Sequence, residues 1–205
     1  MESVVIIGYS GHAYVICDIL ESSKIKVLGY CENTEKAQNP FKLSYLGLEQ
    51  EEKTLSILRK NACFVAIGDN FSRRKVQEFL IGQHCKIINI IDGSSRVSSS
   101  STIENGVMIG PGAIVNALCK IQQGAICNSG SIVEHECIIG KFTHIAPGAV
   151  LCGNVQVGEN SFIGAGAIIK QNINIGSNVI VGAGTVVVKD IPSNSTVIGN
   201  PQKFI

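Results

Sequence analysis

The chain has no excess of charge of either sign: 17 Lys and Arg stand against 16 Asp and Glu, a formal net charge of +1 over 205 residues. It also has no Lys/Arg cluster, which removes the electrostatic basis for binding nucleic acid or an anionic membrane surface and leaves room for a small anionic ligand. No stretch approaches the ~18 uninterrupted apolar residues of a membrane-spanning helix. Met1 runs into Val4-Val5-Ile6-Ile7 without a basic segment or a long apolar one, so the expected location is cytoplasmic. The eight cysteines, at 17, 31, 63, 85, 119, 127, 137 and 152, include no C-x-x-C pair. Most of them replace small core or corner residues and read as reduced structural thiols rather than metal ligands or disulfides. The 45% hydrophobic content suits a soluble globular protein with two modest cores.

What the chain does have is a period of six. From Val97 through Ile103, Ile109 and Val115 to Val181 and Val187, every sixth residue is aliphatic except Cys127. That period matches neither a helix nor a simple two-faced strand and reads as a solenoid. Each hexad, such as Ile109-Gly110-Pro111-Gly112-Ala113-Ile114, offers one inward aliphatic and then small residues for a tight corner, where glycine avoids the Cβ penalty. Three hexads close one triangular coil, so residues 97–192 are expected to make about five coils stacked at roughly 4.8 Å.

A different grammar precedes the hexads. Val4 to Ile7 reads as a buried strand, Gly8-Tyr9-Ser10-Gly11 as a turn, and His12 to Ser23 as a helix. Strands are expected at Val27 to Cys31, Phe64 to Gly68 and Lys86 to Ile91, and helices at Glu49 to Arg59 and Ser72 to Ile81. Such alternation implies an α/β unit with a parallel sheet. Asn39-Pro40 marks a turn, and the rest of the first half of 32–60 has no regular pattern. The polar stretch Asp92-Gly93-Ser94-Ser95 places the boundary near 94, giving units 1–94 and 95–205.

Gly8-x-x-Gly11 lies between a strand and a helix, where backbone N–H groups and the helix dipole favour an anion; a tight turn that binds nothing accounts for it equally well. The third glycine of G-x-G-x-x-G is absent. Two further rims, Cys31-Glu32-Asn33 and Ala66-Ile67-Gly68-Asp69-Asn70, end strands of the same sheet and favour a nucleotide. Within the hexads the departure from pattern is Asn128 to Cys137. Glu136 fills a corner slot held by glycine at 112, 124, 130, 148, 166 and 184, and His135 is its neighbour. The pair reads either as an imidazole base oriented by a carboxylate or as a solvated surface histidine beside a charge. His144 lies nine residues on, half a coil, and so projects from the opposite side of the prism. If the two imidazoles share a site, it lies between protomers of an oligomer.

Taken together, Gly8-Tyr9-Ser10-Gly11-His12, the run Asn128 to Glu136 followed by Ile138-Ile139-Gly140, His144, and Gly199-Asn200-Pro201 resemble the bacterial sugar acetyltransferases of the NeuD and PglD type. The resemblance spans essentially the whole chain. It implies a small Rossmann-like domain for a nucleotide-linked amino sugar, then a left-handed parallel β-helix that assembles as a homotrimer. Acetyl-CoA is expected in the groove between adjacent prisms. It further implies His135 as base, Glu136 as its orienting partner and Asn128 as a supporting polar group. His144 from the next subunit would meet the thioester region of acetyl-CoA, with Gly153, Ala165 and Ala183 lining the CoA channel. Ser10, Gly11, His12, Glu32, Asn33, Ile67 and Gly68 would line the nucleotide pocket. Many relatives carry Asp-Asp where this chain has Glu32-Asn33, so the identity of the base stays open among UDP, the first expectation, GDP and dTDP.

The activity so implied is acetyl transfer to the 4-amino group of a UDP-linked deoxy-amino sugar for surface glycan synthesis, by direct attack and without a metal. Cys127 and Cys137 flank the site in sequence, but a buried thiol without an activating base is inert. The same base acting on a hydroxyl would give O-acetylation of a sialic-acid-like sugar. A third reading is a non-catalytic hexapeptide scaffold with a nucleotide-sensing domain, which requires neither His135-Glu136 nor the nucleotide rims.

Overall fold

The computed structural model describes residues 3–205, which divide into two compact units between Ile90 and Ile91. Asp92-Gly93-Ser94-Ser95 lies just inside the second unit.

The first unit holds a parallel sheet of four strands, β1 (Val4–Ile7), β2 (Val27–Cys31), β3 (Ala62–Val65) and β4 (Lys86–Ile87), in the order β2-β1-β3-β4. Its helices are α1 (Gly11–Ser22), α2 (Glu52–Leu58) and α3 (Asn70–Gly82). Every residue of β1 and β3 is buried, as continuous apolar runs in a parallel sheet require. The chain leaves β1 through α1 to β2 on one side, then returns through α2 to β3 on the other. The C-terminal ends of β1 and β3 therefore flank the switch point where α/β sheets bind ligands.

Several boundaries differ from the expectations. β3 starts at Ala62 and stops at Val65, where its register with β1 ends at Ile7↔Val65 and β1 itself turns at Gly8. The residues after it form a loop that starts α3 at Asn70, because the Asp69 carboxylate accepts a 2.8 Å hydrogen bond from the Ser72 N–H and caps the helix. The aliphatic run 86–91 serves two sheets: Lys86–Ile87 pairs with β3, while Ile90–Ile91 enters the eight-stranded sheet described below. α2 begins at Glu52 rather than Glu49.

The second unit is a solenoid of the left-handed β-helix type, with three parallel sheets. The first face carries Met108–Ile109, Ile126–Cys127, His144–Ile145, Phe162–Ile163 and Ile180–Val181; the second, Ile114–Val115, Ile132–Val133, Val150–Leu151, Ile168–Ile169 and Val186–Val187; the third, Thr102–Ile103, Lys120–Ile121, Ile138–Ile139, Gln156–Val157 and Asn174–Ile175. Pairing steps by one coil, as in Ile126↔His144↔Phe162, so the inward residues of the hexad frame stack into a continuous buried core. The stack has about six coils rather than five. Ile90–Ile91 extends the first face at one end, with Ile91 continuing the hexad frame one step before Val97, and Thr196–Ile198 extends it at the other, out of that frame.

From 106 to 184 each corner carries one left-handed residue. Glycine or asparagine fills most of these positions, and the exceptions among residues 106–184 are Leu118, Glu136 and Phe142, at φ +63°, +63° and +57°. Holding a residue with a Cβ in that conformation costs roughly 1–2 kcal/mol.

Candidate active site

His135 and Glu136 form the corner after the second-face strand Ile132–Val133. The strained φ of Glu136 turns its carboxylate back on its neighbour, and Oε2 lies 3.0 Å from His135 Nδ1. Both side chains are more than half exposed. One coil further along the same column, Gly153 leaves space for the ring: a Cβ there would sit 2.6 Å from His135 Nε2. The pair is therefore oriented by a carboxylate on one ring nitrogen and seated on bare backbone beneath.

Asn128 and His144 form a second pair. They lie on successive rungs of the first face, with Asn128 Nδ2 3.0 Å from His144 Nε2. His144 is buried, and the Phe162 ring of the next rung meets it edge-on with centroids 5.1 Å apart. The first face is opposite the corner that holds His135, so the half-coil offset read from the spacing is realised. Within one chain the structure brings Asn128 to His144 and not to His135. The expected grouping of Asn128 with His135 therefore breaks into two pairs, because Asn128 ends a first-face strand and His135 follows a second-face strand. The CoA-channel residues divide likewise. Gly153 stacks in the His135 column, while Ala165 and Ala183 stack in the column between the first and second faces, joined by the Gly184 N–H donating 2.8 Å to the Ala165 carbonyl. Both alanines are exposed.

The thiols take no part in either pair. Among the described residues all eight cysteines are free and all but Cys152 are buried. Burial pushes Cys127 up to about 12.

In the first unit a cleft of about 800 Å³ opens at the β1/β3 switch point. Ser10, Glu32, Asn33, Ile67 and Gly68 line it, together with Glu49, Gln50, Ser72 and Lys75, which were not anticipated. Gly8 sits at φ +88°, and a Cβ on it would lie 2.7 Å from Ile67 Cγ1 and 3.3 Å from the Ala66 carbonyl oxygen, so only glycine lets the loops after β1 and β3 approach so closely. Ser10 occupies the N-cap of α1 without a side-chain capping bond, and no acidic residue enters that first turn. Gly11 and His12 are not among the lining residues.

Glu32 is already engaged. Its carboxylate accepts from the N–H groups of Tyr9 (3.3 Å) and Asn33 (3.1 Å) and pairs with Lys36 at 3.3 Å. Burial pushes its carboxyl up, but the N–H groups of Asn33 and Tyr9 and the Lys36 ammonium outweigh burial and hold it below the ordinary carboxylate value.

Sequence reasoning missed Arg73, which is fully buried although it sits in a helix that reads as amphipathic. Its guanidinium donates to the carbonyls of Ile67 (3.0 Å) and Gly68 (2.8 Å) and to Asn70 Oδ1 (2.9 Å), fixing the rim at the end of β3. Burial, reinforced by the Arg73 charge, lowers His12 to about 4, so its imidazole is neutral at physiological pH.

A separate groove of about 780 Å³ runs along the third face past Gln156, Asn174, Asp190 and Ser193, and none of the site residues above lines it. Among the described residues no group of three or more His, Cys, Asp or Glu is placed to hold a metal ion, and no helix is long and apolar enough to cross a membrane.

Comparison with known proteins places these features in context. Residues 3–80 match the PglD N-terminal domain, and residues 154–189 match the bacterial transferase hexapeptide model. PerB from Caulobacter crescentus, solved with CoA and GDP-perosamine, is 35% identical over 100% of this chain and 98% of its own, with a TM-score of 0.92. The acetyltransferase domain of PglB from Neisseria gonorrhoeae, solved with acetyl coenzyme A, is 31% identical over 100% of this chain and 99% of its own, with a TM-score of 0.94. WeeI from Acinetobacter baumannii, 24% identical over the full length of both chains with a TM-score of 0.89, shares the fold.

Proposed function

The chain belongs to the NeuD/PglD-type family of sugar N-acetyltransferases, and on that premise we propose that it transfers acetyl from acetyl-CoA to the 4-amino group of a nucleotide-linked deoxy-amino sugar, for bacterial surface glycan synthesis in the cytoplasm. The observation that carries this reading is the His135–Glu136 pair at a strained corner. A carboxylate at Nδ1 keeps the proton on that nitrogen and leaves Nε2 as the acceptor. The neutral sugar amine attacks the thioester carbonyl, Nε2 takes the proton as the C–N bond forms, and Glu136 stabilises the imidazolium. The C–S bond then breaks, and the CoA thiolate takes up the proton. No acyl-enzyme is formed.

A homotrimer completes the site. Phe162 and Ile180 on the first face and Ile114, Ile132, Val150 and Ile168 on the second are outward, apolar and at least partly exposed, whereas the third face shows Thr102, Lys120, Ile138, Gln156 and Asn174. Phe162, Ile168 and Ile180 are 36%, 45% and 50% exposed in the single chain. The corner between the two apolar faces carries only Pro111, Ser129, Pro147, Ala165 and Ala183 with their glycines, small enough to meet at a threefold axis. Packing the first face of one prism on the second face of the next brings the His135–Glu136 pair of one protomer to the Asn128–His144 pair of its neighbour. The seam between them accommodates acetyl-CoA, with its thioester near His144. No metal is required.

The cleft in the first unit holds the nucleotide, with Ser10 and the N-terminal end of α1 toward the diphosphate. Among the relatives, PerB was solved with a GDP-linked sugar, which supports GDP among the candidate carriers UDP, GDP and dTDP.

Thiol release from acetyl-CoA, measured against UDP-, GDP- and dTDP-linked 4-amino sugars, tests the reading. Release with at least one of them, and none with the corresponding 4-hydroxy sugars, is expected. Acetylation of free sialic acid with no turnover of any nucleotide sugar would replace it with O-acetylation.

A further inference from the structure

The cleft at the β1/β3 switch point contains a carboxylate, that of Glu49, to which no protein group among the described residues hydrogen-bonds. Glu49 is only 7% exposed and lines the cleft, yet no hydrogen bond or ion pair among the described residues reaches its side chain. Lining the cleft, the carboxylate is open to donors that a ligand supplies. Glu32, the carboxylate expected to meet the nucleotide, has instead committed its oxygens to two backbone N–H groups and Lys36.

We propose that Glu49 reads the base of the nucleotide carrier and selects guanine. This rests on the nucleotide-sugar reading above and goes beyond it by naming the carrier and the residue that chooses it. Guanine presents two adjacent donors, N1–H and the N2 amino group, which match the two oxygens of one carboxylate. Uracil and thymine present a single N3–H between two carbonyl oxygens, so a second carboxylate oxygen would face an acceptor and repel it. The Asn33 and Gln50 side chains, which line the same cleft, supply amide donors for the guanine acceptors O6 and N7. Val76 and Phe79 of α3 provide a half-buried apolar wall for the purine.

Titration calorimetry on the full-length protein with GDP, IDP and UDP tests this. IDP lacks the N2 amino group and needs no mutation to probe it. GDP is expected to bind about tenfold or more tightly than IDP or UDP, the loss of one charge-assisted hydrogen bond. Glu49→Gln is expected to bring GDP to the level of IDP while UDP stays within about twofold. Equal binding of GDP and IDP, or UDP binding as tightly as GDP, overturns the proposal. Equal weakening of GDP and UDP in Glu49→Gln also overturns it, since the carboxylate would then hold the ribose hydroxyls common to both. If Glu49→Gln does not fold, the wild-type comparison of GDP with IDP decides alone. If no nucleoside diphosphate binds, the nucleotide-sugar reading itself falls. If both GDP and UDP bind and Glu49→Gln changes neither, only the role of Glu49 falls.

Discussion

The imidazole of His135 rests on the α-carbon of Gly153, one coil away, so closely that a single methyl group on that carbon would occupy the ring's place. Gly153 has no positive φ, and no backbone strain calls for glycine there. Its small size serves the ring. Gly153→Ala is expected to lower the rate of acetyl transfer by about a hundredfold, the penalty of displacing a catalytic group by about an ångström. The melting temperature should stay close to that of the parent. Steady-state thiol release beside a thermal melt checks this, and a full-rate Gly153→Ala would remove His135 from the chemistry.

Glu136 sets stability against activity. Replacing it with glycine relieves the left-handed strain and is expected to stabilise the protein by about 1 kcal/mol. The same change removes the partner of Nδ1 and should cost about tenfold or more in rate. Glu136→Gln, which keeps the strain but loses the charge, should lower the rate without the gain in stability. Denaturant unfolding and initial rates on the same three proteins separate the two effects.

The prism was readable because a buried position every six residues leaves a mark that no surface substitution erases, and β2 ran from Val27 to Cys31 as its pattern implied. The misreadings share one physical cause. Apolar side chains between 64 and 68 and between 86 and 91 look alike whether they pair in one sheet, cross to another or line a loop, and only the partner strand decides. The segment 32–48 had no pattern to read because side chains hold it: Asn39 Oδ1 accepts from the Leu43 N–H and the Tyr9 hydroxyl, and the Tyr45 hydroxyl donates to the Glu32 carbonyl. In the site, the neighbours His135 and Glu136 were legible along the chain. Arg73 and Glu49 were not, since burial of a charged residue depends on contacts remote in sequence.

His12 predicts a particular acid sensitivity. Its ordinary value of 6.5 falls to about 4 in the folded chain, so between those values the unfolded chain holds more protons. The stability it contributes is complete above pH 6.5 and declines as the pH falls toward 4, by about 3 kcal/mol in all. Asp69, also held below its ordinary 3.8, acts only further down. His12→Gln should therefore flatten the dependence of unfolding free energy on pH across 4 to 6.5, measured by denaturant titration. An unchanged slope would mean that His12 keeps its proton when folded.

The apolar faces predict assembly. Ile168→Glu places a charge on the second face and is expected to convert the proposed trimer to monomers in light scattering, with loss of acetyl transfer and retention of nucleotide binding. Mixing His135→Ala with His144→Ala subunits should restore part of the activity, since some seams then join an intact His135 to an intact His144. No recovery in mixed trimers would confine each site to one chain.

The columns of corners also make the prism a ruler. Positions in one column repeat at the strand spacing of about 4.8 Å, so the length available to an extended donor changes only in whole steps. Inserting or deleting a complete coil beyond Gly153 would lengthen or shorten the prism while leaving the imidazole on its glycine seat. Any other insertion would turn corners into walls.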